Sequence, residues 1–130
     1  MIKVLFICHG NICRSTMAEY VMKDLVKKAN LESSFYIDSA GTSNEEDGNP
    51  VHYGTQNKLR EEGIPCGNHR ARQMTKKDYE EFDYLIGIDR QIRNIKAEYP
   101  TAHIVQEAYT GTYIFRPEWL KLYRILKSGD

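Results

Sequence analysis

The sequence predicts an α/β fold: a single three-layer domain whose four-stranded parallel sheet, order 2-1-3-4, carries helices on both faces and a phosphate-binding loop after strand 1. Three observations point there. Apolar runs of strand length alternate with stretches of helical periodicity, as crossovers between parallel strands require. The first run, Ile2 to Ile7, is interrupted only by Lys3 and reads as a strand buried on both faces. It leads directly into Cys8-His9-Gly10-Asn11-Ile12-Cys13-Arg14-Ser15, after which Ser15-Thr16-Met17-Ala18-Glu19 opens a helix.

A strand, a short glycine-bearing loop and a helix start form the geometry that binds phosphate. The N–H groups of the loop and of the first helical turn converge on one anion, and the helix dipole adds about half a positive charge. This loop begins with a thiol and ends with a guanidinium. A thiol attacks only as its thiolate, the form that N–H dipoles and a neighbouring arginine favour, so Cys8 is the candidate nucleophile. Arg14 offers a planar two-point grip on phosphoryl oxygens, and Ser15 offers its hydroxyl to the Cys8 sulfur. His9, Gly10, Asn11, Ile12, Cys13 and Arg14 make up the phosphate-binding loop. Two plainer readings stand beside this one. Cys8 can end a strand as a small buried hydrophobe, or Cys8, His9 and Cys13 can ligate zinc, although no second ligand pair follows at metal-site spacing. No metal and no cofactor is expected.

From Thr16 to Ala29 the apolar positions Met17, Ala18, Val21, Met22, Leu25 and Val26 recur at helical spacing, with Glu19, Lys23, Lys27 and Lys28 on the other side. Phe35-Tyr36-Ile37 makes a second strand ending at Asp38-Ser39-Ala40-Gly41-Thr42. Loops after the carboxyl ends of strands surround the ligand in open α/β sheets, which puts Ser39 within reach of the Cys8 loop; a turn residue is the plain alternative. Residues 43–50, polar and rich in turn formers, form a surface loop. Val51 to Glu62 is helical and is stopped by Gly63 and Pro65. Thr75 caps a helix reaching Phe82, Asp83 to Ile88 is the third strand, and Asp89 opens a helix to about Tyr99. Ala102 to Val105 is the fourth strand, and Trp119 to Leu126 a short closing helix.

At 130 residues the chain reads as one domain. Eighteen basic and eighteen acidic side chains cancel, so neither nucleic acid nor an anionic membrane is an expected partner. No apolar run is long enough to span a bilayer, and the first strand is too short for a signal peptide. Three cysteines, an odd number, suit a reducing compartment. A soluble, cytoplasmic monomer is expected.

Val4-Leu5-Phe6-Ile7, the loop from Cys8 to Ser15 and Thr16-Met17-Ala18-Glu19 together resemble the active-site segment of the low-molecular-weight protein tyrosine phosphatases. Their signature is a cysteine, five residues, an arginine and a serine near the N-terminus. Further matching segments follow in order: Asp38 to Thr42, Gly48-Asn49-Pro50, Gly63-Ile64-Pro65, His69-Arg70-Ala71-Arg72-Gln73, and Phe82-Asp83-Tyr84 leading to Asp89. The resemblance runs to about residue 105. It implies hydrolysis of protein phosphotyrosine, or of small aryl phosphates, through a cysteinyl-phosphate, with inorganic phosphate and other oxyanions bound at the same loop. It also implies that the Asn11 side chain holds the loop in shape, that Ser39 hydrogen-bonds Asn11, and that His69 helps fix the loop; a simple surface histidine is the plain alternative for His69. Cys8 and Cys13, two thiols in one loop, are the expected redox pair, forming a disulfide on mild oxidation. Where the family commonly carries an aromatic that walls the cleft, this chain has Glu45, an acidic rim that would repel acidic phosphopeptides, or merely part of a solvated loop.

The tail departs from the pattern. Family members carry an Asp-Pro near the C-terminus whose aspartate protonates the leaving phenolate, and no Asp-Pro occurs here. Glu118, in Arg116-Pro117-Glu118-Trp119, is the candidate substitute, and an ordinary helix-start acid is the plainer reading. Three other functions stay open: an oxyanion-binding pseudophosphatase; an arsenate reductase, poorly supplied because Cys66 is the only cysteine outside the loop; and an arginine phosphatase, whose related loops tend to carry threonine where this chain has Ile12.

Overall fold

Strand β1 (Ile2–Cys8) lies between β2 (Phe35–Gly41) and β3 (Tyr84–Gly87), parallel to both. The computed structural model describes residues 1–87 and the strand Ile104–Gln106 (β4), which pairs in parallel with β3 in the register Leu85↔Ile104. β1 carries the buried run that the sequence suggests, with Val4 to Cys8 all buried. Alternation along the strands sends side chains to two separate cores. Val4, Phe6, Ile37 and Ile86 pack against Met17, Ala18, Val21, Met22 and Val26 of α1 (Arg14–Lys28) and Leu59 of α2 (Tyr53–Glu61). Leu5, Ile7, Ala40 and Leu85 form the second cluster, covered by Met74, Tyr79 and Phe82 around α3 (Lys76–Glu81). Helices therefore flank the sheet on both faces.

Several boundaries differ from the expected ones. α1 begins at Arg14, not Thr16, because the Cys13 carbonyl accepts both the Met17 N–H and the Thr16 hydroxyl at 2.9 Å and closes the first turn early. Arg14 thus becomes the first residue of the helix. Glu19, expected on the outer side of α1, is only 2% exposed, since Ser39 and His69 supply buried partners for its carboxylate. A single 3-10 turn, Glu32–Ser34, precedes β2. β2 runs four residues past Ile37, held by its ladder to β1 as far as Cys8↔Gly41. Gly41 is required there: a Cβ would lie 2.7 Å from the His9 carbonyl oxygen. α2 starts at Tyr53, with the His52 ring accepting the Gly54 N–H, while Val51 drops into the core. Gly63 ends this segment with φ of 69°, a left-handed conformation suited to glycine. Thr75 and Asp78 form a reciprocal capping box on α3.

The fourth strand, expected over 102–105, is described at Ile104–Gln106; residues 102 and 103 lie outside the described residues. The helix expected from Asp89 to Tyr99, Glu118 and the closing helix from Trp119 to Leu126 lie outside the described residues. Among the described residues no helix is long and apolar enough to cross a membrane. The sheet order changes direction at β1, whose neighbours come from both later parts of the chain. The loop after Cys8 therefore opens at a topological switch point.

Candidate active site

The loop from Cys8 to Arg14 joins the carboxyl end of β1 to the N-terminus of α1, so the sheet and the helix both point at one small volume. Cys8 is buried at its base. Its sulfur lies 3.0 Å from the Ser15 Oγ and accepts the Asn11 N–H at 3.3 Å. Asn11 has φ of 59°, a left-handed conformation that asparagine tolerates better than most residues and that turns its amide inward.

The Asn11 side chain, only 1% exposed, is held at both ends. Its Nδ2 donates to Ser15 Oγ at 2.8 Å. Its Oδ1 accepts the Arg72 backbone N–H at 3.1 Å and pairs with the His69 Nε2 at 2.8 Å. Because a backbone N–H can only donate, the amide orientation is determined, and Nε2 of His69 carries a hydrogen. The oxygen of Ser15 thus takes a hydrogen from Asn11 and lies in hydrogen-bonding range of the Cys8 sulfur.

Behind His69 stands a charged layer. Its Nδ1 faces Glu19 Oε1 at 3.3 Å and Asp38 Oδ1 at 3.5 Å, and its backbone N–H donates to the Tyr20 hydroxyl at 3.0 Å. Burial pushes the Tyr20 hydroxyl up to about 12, the Glu19 charge adding to it and the His69 N–H opposing it. Lys23 holds the other Glu19 oxygen at 2.6 Å, from the next turn of α1. Arg72 binds Asp78 through two hydrogen bonds of 2.9 and 3.1 Å and Asp38 through one of 3.1 Å. Burial alone would raise the Asp78 carboxyl, but the Arg72 guanidinium and the Thr75 N–H outweigh it and hold the group below its ordinary value. The two carboxylates in turn raise Arg72 against its own burial.

The expected hydrogen bond between Ser39 and Asn11 is not formed. Ser39 Oγ donates to Glu19 Oε1 at 2.5 Å and lies 3.3 Å from His69 Nε2. Its link to Asn11 therefore passes through His69, because β2 continues past Ser39 and directs that side chain at α1. Cys13 and His9 make contacts of their own: Thr55 donates its hydroxyl to Cys13 Sγ at 3.3 Å, and His9 Nε2 lies 3.4 Å from Glu45 Oε2. The zinc reading of Cys8, His9 and Cys13 is thus replaced by three separate sets of contacts. Ile12 contributes its carbonyl, which accepts the His52 N–H at 2.8 Å. Gly10 faces Glu46, whose Cγ would lie 3.5 Å from a Cβ at that position. Glu19, Tyr20, Asp38, Thr55 and Arg72 are parts of the site that sequence reasoning did not single out. One signal was available for Glu19: it falls four residues after Ser15, on the same helix face.

A family model described as low molecular weight phosphotyrosine protein phosphatase matches residues 3–109. The chain is similar to the low molecular weight protein-tyrosine-phosphatase YfkJ of Bacillus subtilis, 45% identical over 108 residues that cover 80% of this chain and 69% of that protein. It is 48% identical to the low molecular weight phosphotyrosine protein phosphatase of Homo sapiens over 86 residues, 66% of this chain and 54% of the human one, and so spans about half of that relative. The crystal structure of YfkJ superposes with a TM-score of 0.78 at 36% identity, covering 98% of this chain and 94% of that one. A Drosophila arginine phosphatase superposes with a TM-score of 0.76 at 28% identity, covering 99% and 98%.

Proposed function

Because this chain belongs to the low molecular weight phosphotyrosine protein phosphatase family, we propose that it hydrolyses phosphotyrosine in proteins, and small aryl phosphates, through a cysteinyl-phosphate. The observation that carries the reading is the buried Cys8 sulfur, 3.0 Å from Ser15 Oγ and 3.3 Å from the Asn11 N–H, at the base of a loop that opens onto a helix N-terminus. In the first step the Cys8 thiolate attacks phosphorus, and the bond to the phenolic oxygen breaks. The loop N–H groups and Arg14 bind the phosphoryl oxygens and stabilise their charge in the transition state. Water then attacks the thiophosphate, releasing inorganic phosphate and the thiolate, which Ser15 stabilises as the leaving group. Asn11, His69 and, through His69, Ser39 keep the loop in its anion-binding shape.

The same reading takes residues 1–130 as one domain with a four-stranded sheet of order 2-1-3-4, working as a cytoplasmic monomer without metal, cofactor, nucleic acid or membrane. A phenolate, with a conjugate acid near ~10, leaves poorly without a proton. With no Asp-Pro in the sequence, phosphotyrosine turnover is impaired relative to that of aryl phosphates whose leaving group is already acidic. The missing Asp-Pro also favours a second reading, an oxyanion-binding pseudophosphatase. The arsenate reductase and arginine phosphatase readings have less support, from Cys66 alone outside the loop and from Ile12 in the loop. Steady-state hydrolysis of an aryl phosphate with an acidic leaving group, set beside phosphotyrosine, decides between the phosphatase and the pseudophosphatase. Turnover of the first well above the second supports a working nucleophile short of a proton donor, and turnover of neither supports the pseudophosphatase.

A further inference from the structure

The loop between β2 and α2 is tied onto the phosphate-binding loop by its backbone: the Thr42 N–H donates to the Cys8 carbonyl at 2.9 Å and the Ser43 N–H to the His9 carbonyl at 3.1 Å. Those ties set two carboxylates against the residues that follow the nucleophile. Glu45, 71% exposed, reaches His9 at 3.4 Å, and Glu46 lies over Gly10. Asp47 continues the same turn. Asn49 Nδ2 holds one oxygen of Glu46 at 2.7 Å. Of the two arginines on the adjoining segment, Arg72 is paired with Asp38 and Asp78, and Arg70 donates to the Gly48 carbonyl at 3.4 Å; among the described residues Arg70 forms no ion pair with these carboxylates. What separates this rim from an ordinary solvated acidic turn is its contact with two residues of the loop that receives the phosphate.

Carboxylates beside an anion cradle oppose the approach of a dianionic substrate unless that substrate brings positive charge of its own. We infer that Glu45 and Glu46, with His9 positioning Glu45 at the loop, select phosphotyrosyl segments that carry lysine or arginine next to the phosphotyrosine and reject those flanked by acids. The inference rests on the phosphotyrosine reading above and names its substrate class. The rim acts on the residues beside the phosphotyrosine and leaves the phosphoryl group to the loop.

Two phosphotyrosyl peptides identical except for flanking lysines or flanking glutamates test it, with binding measured to the full chain carrying Cys8→Ser and hydrolysis to the parent. At low salt the lysine peptide is expected to bind about tenfold more tightly, as two carboxylates near a solvated charge allow, and 1 M NaCl should bring the ratio close to one by screening. Adding Glu45→Gln and Glu46→Gln should reduce the low-salt preference to within about twofold, and Glu45→Lys with Glu46→Lys should invert it. Equal binding of the two peptides, or a preference that survives both charge changes, overturns the inference while parent hydrolysis of either peptide keeps the phosphatase reading. Binding of neither peptide, with no hydrolysis by the parent, overturns both.

Discussion

Asn11 joins the loop, Cys8 and the charged layer, and replacing it separates backbone strain from hydrogen bonding. Asn11→Ala removes the donor to Ser15 and the acceptor for the Arg72 N–H and for His69 Nε2. Two donors left unpaired in a buried site cost about 1–2 kcal/mol each. Holding alanine at φ of 59° adds about 1 kcal/mol. The expected loss is about 3–5 kcal/mol, a large share of the ~5–15 kcal/mol typical of a small domain. Asn11→Gly loses the same hydrogen bonds but adopts the left-handed conformation freely. It should therefore be about 0.5–1 kcal/mol more stable than the alanine variant, the reverse of the usual order in regular structure. Urea denaturation with unchanged m-values measures both differences. Turnover should fall in both variants, because Ser15 loses the contact that orients it toward Cys8. An alanine variant at least as stable as the glycine one would refute the strain argument, and a loss below about 1 kcal/mol in both would refute the hydrogen-bonding argument.

Cys8→Ser should abolish turnover yet still bind phosphate or vanadate, measured by calorimetry; near-normal turnover would remove Cys8 as nucleophile. Arg14→Lys should lower kcat at least about 100-fold, since an ammonium cannot reproduce the planar two-point grip; steady-state kinetics on one aryl phosphate is sufficient. Mild peroxide should inactivate reversibly through a Cys8 to Cys13 disulfide, visible by peptide mapping, whereas irreversible oxidation of Cys8 with Cys13 left free would contradict it. Asp78, whose carboxyl is held below its ordinary value of 3.8 by Arg72 and Thr75 against its burial, stabilises the fold above that pH. This contribution is lost as pH falls through the lower folded value, so Asp78→Asn should flatten the acid limb of stability below about pH 4. An acid limb unchanged in the variant would count against the pairing.

The strand, loop and helix start from Ile2 to Ser15 were legible because their signals are local: an apolar run, a glycine-bearing loop with its cysteine and arginine, and a 3.6-residue period. The stop at Gly63 and the start at Thr75 were legible for the same reason, one residue's backbone preference or capping chemistry deciding each. The length of β2 was not, because Asp38 to Gly41 become strand only by pairing with β1, which supplies the missing hydrogen-bond partners. Nor was the burial of Glu19. Its period on α1 assigned it to the outer side, and only the approach of Ser39 and His69, far along the chain, makes a buried carboxylate tolerable. The partner of Ser39 changed for a related reason, since strand pairing sets which way its side chain points. A hydrogen bond such as that from the Arg72 N–H to Asn11, 61 residues apart in sequence, leaves no periodic trace. It exists because the folded sheet brings two loop ends to the same edge, and the tertiary structure alone decides which polar groups meet there.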